Sequence, residues 1–236
     1  MWCSSLNKSL GGTFLGLLAP ACLCPLELEV PEGTIRTTSP ELAEEIASLL
    51  ARYDPRVRAY LGTEGDRRPI IEIGLWRPFG PDRSAYKTPT HIVVQDVDEA
   101  LEVLLVHELI HWHCSDHWDT LPVALEDGLA YLLSAALTGL DGYVLKSPVE
   151  EAISPALSLG LAEFHALGDE AFQHEILAAG IWIVGVVGVE TLESLALRAY
   201  DAGFERIPYP WLEEVVPPLS RTVVHFQKAL NLPPTL

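Results

Sequence analysis

The sequence predicts an α+β fold, with a small strand-bearing N-terminal lobe followed by a helical C-terminal lobe. Three observations predict it. Short runs rich in Ile and Val end by Gln95. From Asp98 onward, apolar residues recur at helical spacing. The helix at the junction is strongly apolar, yet it carries two histidines, His107 and His111. The 236 residues suit a single domain over 25–236, divided into a lobe at 25–96 and a helical lobe at 97–236. Hydrophobic residues make up 49% of the chain and charged residues 20%, which supports a packed core and excludes wholesale disorder.

Taken in order, Leu26 to Val30 reads as a strand that ends at Pro31. Ser39 is the expected N-cap of the first helix, with Pro40 at its first position. Leu42, Ile46, Leu49 and Leu50 fall on one face of that helix, and Pro55 is expected to end it, with Val57 to Leu61 open to another turn. Ile70 to Trp76 reads as a buried strand, Arg77 to Thr90 as a long Pro-rich loop, and His91 to Gln95 as a second strand. A helix is expected from Asp98 through His111, a loop at Trp112 to Thr120, and a helix from Pro122 to Thr138. Further helices are expected at 148–159, 160–167, 169–187, 189–202 and 219–230, with loops marked by Pro208, Pro210, Pro217 and Pro218. The longest apolar run, Ile176 to Val189, has fourteen residues. A membrane span needs about 20, so a buried helix is the better reading.

The formal net charge of −18 argues against nucleic-acid binding, which needs clustered Lys and Arg. Residues 1–24 stand apart from the fold. Gly11 to Cys24 is small and apolar, and Ala19-Pro20-Ala21 before Cys22 has the outline of an export or lipoprotein cleavage site. The protein is exported or lipid-anchored if that segment is a signal, and cytoplasmic otherwise.

The chemistry centres on His107-Glu108-Leu109-Ile110-His111. Residues at i and i+4 share a helix face, so both imidazoles can reach one zinc ion. Glu108 is offset around the helix and can act as the general base on a water activated by the metal. Zinc then needs a third protein ligand. His117 has the spacing of the long metzincin motif, but Cys114 stands where that motif has Gly, and no Met follows Met1 to form its Met-turn.

The stretch Leu121-Pro122-Val123-Ala124-Leu125-Glu126-Asp127-Gly128-Leu129-Ala130 offers the other candidates. Together with His107-Glu108-x-x-His111 it resembles the gluzincin metallopeptidases, especially the peptidase-MA-like group that includes the aminopeptidase family and thermolysin-like catalytic domains. Those chains carry Leu-Pro-x-Trp-Leu-x-Glu-Gly-x-Ala. Leu121, Pro122, Leu125, Gly128 and Ala130 match in place, Ala124 stands where Trp is usual, and Asp127 stands where the ligand Glu is expected. By register the third ligand is Asp127; by side-chain length it is Glu126, and the other then orients a ligand imidazole.

The resemblance implies a zincin-like fold with the active-site helix between the lobes, one zinc ion, and hydrolysis of a peptide or protein substrate. It also implies an edge strand that pairs with the substrate backbone, a place His91 to Gln95 is expected to fill. A Tyr or His should stabilise the oxyanion; His174 is the first candidate, before Tyr143 and Tyr200. Two rivals remain: a catalytically inactive zincin-like scaffold, and a zinc-binding module built from His113, Cys114 and His117.

Overall fold

The computed structural model describes residues 25–63, 67–75, 85–95, 101–139, 165 and 174–216. The described part is α+β: a five-stranded sheet and six α-helices. The expected helices at 148–159 and 219–230, nearly all of the one at 160–167, the segment 1–24 and Tyr143 lie outside the described residues.

Strand β1 (Leu26–Val30) turns through Pro31 and Glu32 into β2 (Gly33–Thr37), and the two pair antiparallel. β2 has no counterpart among the expected elements. Its alternation nevertheless buries Gly33, Ile35 and Thr37 on one face and leaves Thr34 and Arg36 half-buried on the other. Helix α1 (Pro40–Leu61) starts as expected, with the Ser39 hydroxyl accepting from the Leu42 amide at 3.2 Å.

Pro55 does not end α1, contrary to expectation. A proline removes the hydrogen bond to the carbonyl four residues earlier. Ala51 and Pro55 are both exposed, so the lost bond falls on the solvent side of the helix. Tyr53, Asp54 and Val57 are buried beside it and carry the helix through. Gly62 then ends α1 in the left-handed region, at φ 64°.

Strand β3 (Ile70–Ile73) is shorter than expected, and β4 (Ala85–Lys87) lies in the stretch that reads as loop. β5 is His91–Val94. The sheet order is β1-β2-β3-β5-β4, with β2, β3 and β5 parallel and the two outer strands antiparallel to their neighbours. β5 is therefore an inner strand, and β4 holds the edge position expected of His91 to Gln95.

Ile35, Ile71, Ile73, Ile92 and Val94 form the buried sheet residues of one core cluster, which Ile46, Leu50 and Val57 of α1 join. Helix α2 (Leu101–His113) packs on β4, β5 and α1. Every residue of α2 except Glu102 is buried, two histidine ligand candidates and Glu108 among them. Burying an ionisable group has a penalty of several kcal/mol unless it is paired. Full burial of each aliphatic side chain returns about 1.5–3 kcal/mol, and α2 buries Leu101, Val103, Leu104, Leu105, Val106, Leu109 and Ile110. The apolar majority thus holds the polar minority in place.

A short 3-10 helix (Asp116–Thr120) occupies the expected loop, and α3 (Val123–Thr138) follows it. Helices α4 (His174–Val187), α5 (Val189–Asp201) and α6 (Tyr209–Val215) complete the described chain. The α6 segment reads as a Pro-rich loop in the sequence; Pro208 and Pro210 instead start the helix, where a missing amide donor does no harm. No described helix is long and apolar enough to cross a membrane.

Two glycines set how closely α3 and α4 cross. A Cβ on Gly180 would lie 1.8 Å from the Ala124 carbonyl oxygen, and one on Gly128 would lie 2.8 Å from the Gly180 carbonyl carbon. Backbone meets backbone at this crossing, which only glycine permits.

Candidate metal centre

α2 and α3 bring three donor atoms together. His107 Nε2 and His111 Nε2 are 3.1 Å apart, and Asp127 Oδ1 lies 3.0 Å from His111 Nε2 and 3.7 Å from His107 Nε2. Among the described residues, this is the one set of three or more metal-ligating side chains gathered closely enough to hold a metal ion. Donors at about 2.0–2.1 Å from a tetrahedral metal are themselves separated by about 3.4 Å. The three separations bracket that value.

The donor chemistry fits a cation as well. A proton between the two Nε2 atoms, or between His111 and Asp127, satisfies two of the three donors. A metal ion at the centre satisfies all three. Burial by itself pushes the His111 imidazole down, but hydrogen bonds to Asp127 and Glu126 outweigh it and push the pKa up to about 10. Burial pushes the Asp127 carboxyl up, but its interactions with His107 and His111 hold it well below the usual carboxylate range. The set is built to attract positive charge.

The two carboxylates named from the sequence occupy different places. Asp127 faces the histidine pair, while Glu126 Oε1 sits 2.9 Å from His111 Nδ1, on the opposite side of that ring. They diverge as helix geometry requires of adjacent residues. Glu126 fixes which His111 nitrogen faces the centre.

Glu108 is buried beside the ligand set. Burial pushes its carboxyl above the ordinary range; the charges of His107, His111 and Lys87 pull the other way, and Asp127 adds to the rise. Lys87, from β4, donates to the His111 carbonyl at 3.2 Å, and the Cys114 thiol donates to the same oxygen at 3.1 Å. One carbonyl of the last turn of α2 is thereby satisfied from outside the helix.

The residues of the rival zinc module do not assemble. His113 Nε2 is 2.6 Å from Asp54 Oδ1 of α1, and Asp54 also binds Arg58 at 2.6 Å. Burial pushes the Cys114 thiol up to about 12, so it stays protonated. His117 lies on the 3-10 helix, outside the ligand set. His174 is the first residue of α4, and its side chain is outside the described residues. Tyr200 is exposed on α5. Trp112 and Trp118 belong to the core cluster.

Two further residues reach the site without having been expected there. Lys87 lies in what reads as a loop and carries no signal of its own. Tyr131 packs its ring on His107, with centroids 4.1 Å apart and planes at 42°. It stands four residues after Asp127, so helical spacing could have placed it on the ligand face. Burial pushes the Tyr131 phenol up to about 12, with the Asp127 and Glu108 charges adding to the rise.

No family model, curated protein or solved structure matches the chain.

Proposed function

We propose that the chain is a zinc-dependent metallopeptidase of the gluzincin type, with His107, His111 and Asp127 as ligands and Glu108 as general base. The observation that carries this reading is the convergence of two imidazole nitrogens and one carboxylate oxygen beside a buried glutamate. Two imidazoles with one carboxylate is a donor set suited to catalytic zinc.

Zinc, when bound there, polarises a carbonyl oxygen and lowers the pKa of a water. The chain's own residues do the rest. Glu108 accepts the proton that the water loses as it attacks the peptide carbonyl carbon. It returns that proton to the amine that leaves when the C–N bond breaks. A carboxyl raised by burial suits both transfers, because it holds a proton more readily than an exposed one. Glu126 keeps His111 in the ligating orientation. β4, the edge strand that packs against α2, is the place for an extended substrate backbone to pair. Glu126 borders the site, and its charge and that of Asp116 act on Asp119, so this acidic group favours neutral and basic peptides over acidic ones.

The reading is tested on an unstructured peptide pool. A chelator should abolish hydrolysis, and zinc should restore it where magnesium does not. Hydrolysis that persists once the protein's zinc has been removed would overturn it.

A further inference from the structure

The two histidines of the centre are held in different ways. His111 has a hydrogen-bonding partner at each ring nitrogen: Glu126 at Nδ1, and Asp127 and His107 at Nε2. His107 Nδ1 is buried and has no hydrogen-bond partner among the described residues. A ligating imidazole usually takes its orientation from a hydrogen bond at the nitrogen that does not ligate. No described residue gives His107 that bond, yet its Nε2 is aimed at the other two donors.

What lies against His107 is an aromatic ring. Tyr131 stands one helical turn beyond Asp127 on α3, and its ring centroid is 4.1 Å from that of His107. His107 also meets the His111 ring edge-on, with centroids 4.6 Å apart and planes at 78°. The imidazole thus contacts rings from two helices. Aromatic contacts of this kind stabilise beyond area burial, on the same order as a net hydrogen bond.

We infer that Tyr131 is a positioning residue for the metal centre: its ring, rather than a hydrogen bond, fixes the direction of His107 Nε2. One helix then supplies a ligand, Asp127, a hydrogen-bonding orienter for one histidine, Glu126, and a packing orienter for the other, Tyr131. The inference rests on the metal-centre reading for its zinc readout and stands apart from it for its structural one.

The test compares Tyr131→Phe with Tyr131→Leu. Zinc affinity is measured by competition with a chromophoric chelator, and the His107 ring is followed by NMR in the metal-free protein. Tyr131→Phe keeps the ring and should hold zinc as tightly as the native chain. Tyr131→Leu should bind zinc about 10–100-fold more weakly, the loss usual when a ligand's support is removed. In metal-free Tyr131→Leu the His107 ring signals should broaden or average, and in Tyr131→Phe they should remain native. If Tyr131→Leu does not fold, Tyr131→Met takes its place, keeping an apolar side chain without a ring. Native affinity and native ring signals in the ringless variant would overturn the inference, as would equal losses in Tyr131→Phe. A native chain that binds no zinc would overturn the metal reading alone; the His107 signals would still decide the role of Tyr131.

Discussion

Asp127 and Glu126 show how much one residue of register decides. They are adjacent and both acidic, yet one faces two imidazole nitrogens and the other backs one imidazole. Their substitutions should separate accordingly. Glu126→Gln keeps a hydrogen-bond acceptor and should weaken zinc binding by about 10–100-fold. Asp127→Asn removes a charged ligand and should weaken it further, beyond that range. Chelator competition measures both, and equal affinities for the two variants would contradict the assignment. The sequence narrowed the third ligand to these two because matching neighbours set the register. It could not choose between them, because the choice depends on how closely α3 approaches α2. His113 teaches the opposite lesson. Its place in a His-rich stretch suggests metal chemistry, but it is buried against Asp54, which also holds Arg58 on α1. Burial pushes the Asp54 carboxyl up, and its bonds to His113 and Arg58 outweigh that, leaving its pKa lowered. A carboxyl with a lowered folded pKa contributes stability above its unfolded value, about 3.9. That contribution is lost as pH falls from there through the folded value. Asp54→Asn should therefore be less stable than the native chain at neutral pH, with the gap closing below about pH 4. Denaturant titrations across that range measure it; a gap that stays constant with pH would contradict the role given to Asp54.

Among the elements, helices α2 and α3 were legible because their apolar content is high and their starts carry ordinary signals. β2 and β4 were not. Each is short, five and three residues, and is fixed by pairing with strands distant in sequence or across a turn. Pro55 misleads for a related reason. The rule that proline stops a helix assumes that the lost hydrogen bond is missed, and on the solvent side of a helix that loss is small. The α3–α4 crossing carries the clearest prediction at this scale. Gly180→Ala places a methyl carbon against the Ala124 backbone, which cannot move aside as a flexible side chain would. It should cost about 1–3 kcal/mol, as overpacking does. The melting temperature should fall by about 2–4 °C for each kcal/mol. Gly128 faces the same crossing and directly follows the proposed ligand Asp127 on α3, so Gly180→Ala should also weaken zinc binding. An unchanged melting temperature would contradict the close crossing.

At the scale of the whole molecule, the sequence made three things legible. The α+β class followed from where the strands stop and the helices begin. The two histidines followed from their spacing, and the interior position of their helix from its apolar flanks. The strand order was not legible, because pairing between β3, β5 and β4 is a property of the folded sheet and not of any one segment. The support around α2 was harder still to see. Lys87 comes from a strand that reads as loop, and Asp54 from a helix face that bears no mark of its partner on α2. Tyr131 shares a helical face with Asp127, yet nothing in the sequence says that a histidine ring lies opposite.

The central claim is that a zinc ion held by His107, His111 and Asp127 works with Glu108 to hydrolyse peptides. Glu108→Gln tests it most directly, with zinc content and peptide turnover measured on the same preparation. The variant should bind one zinc ion per chain, as the native protein does, and its hydrolysis of an unstructured peptide pool should fall by about 100-fold or more, the scale of a lost general base. Native turnover in a zinc-loaded Glu108→Gln protein would contradict the account.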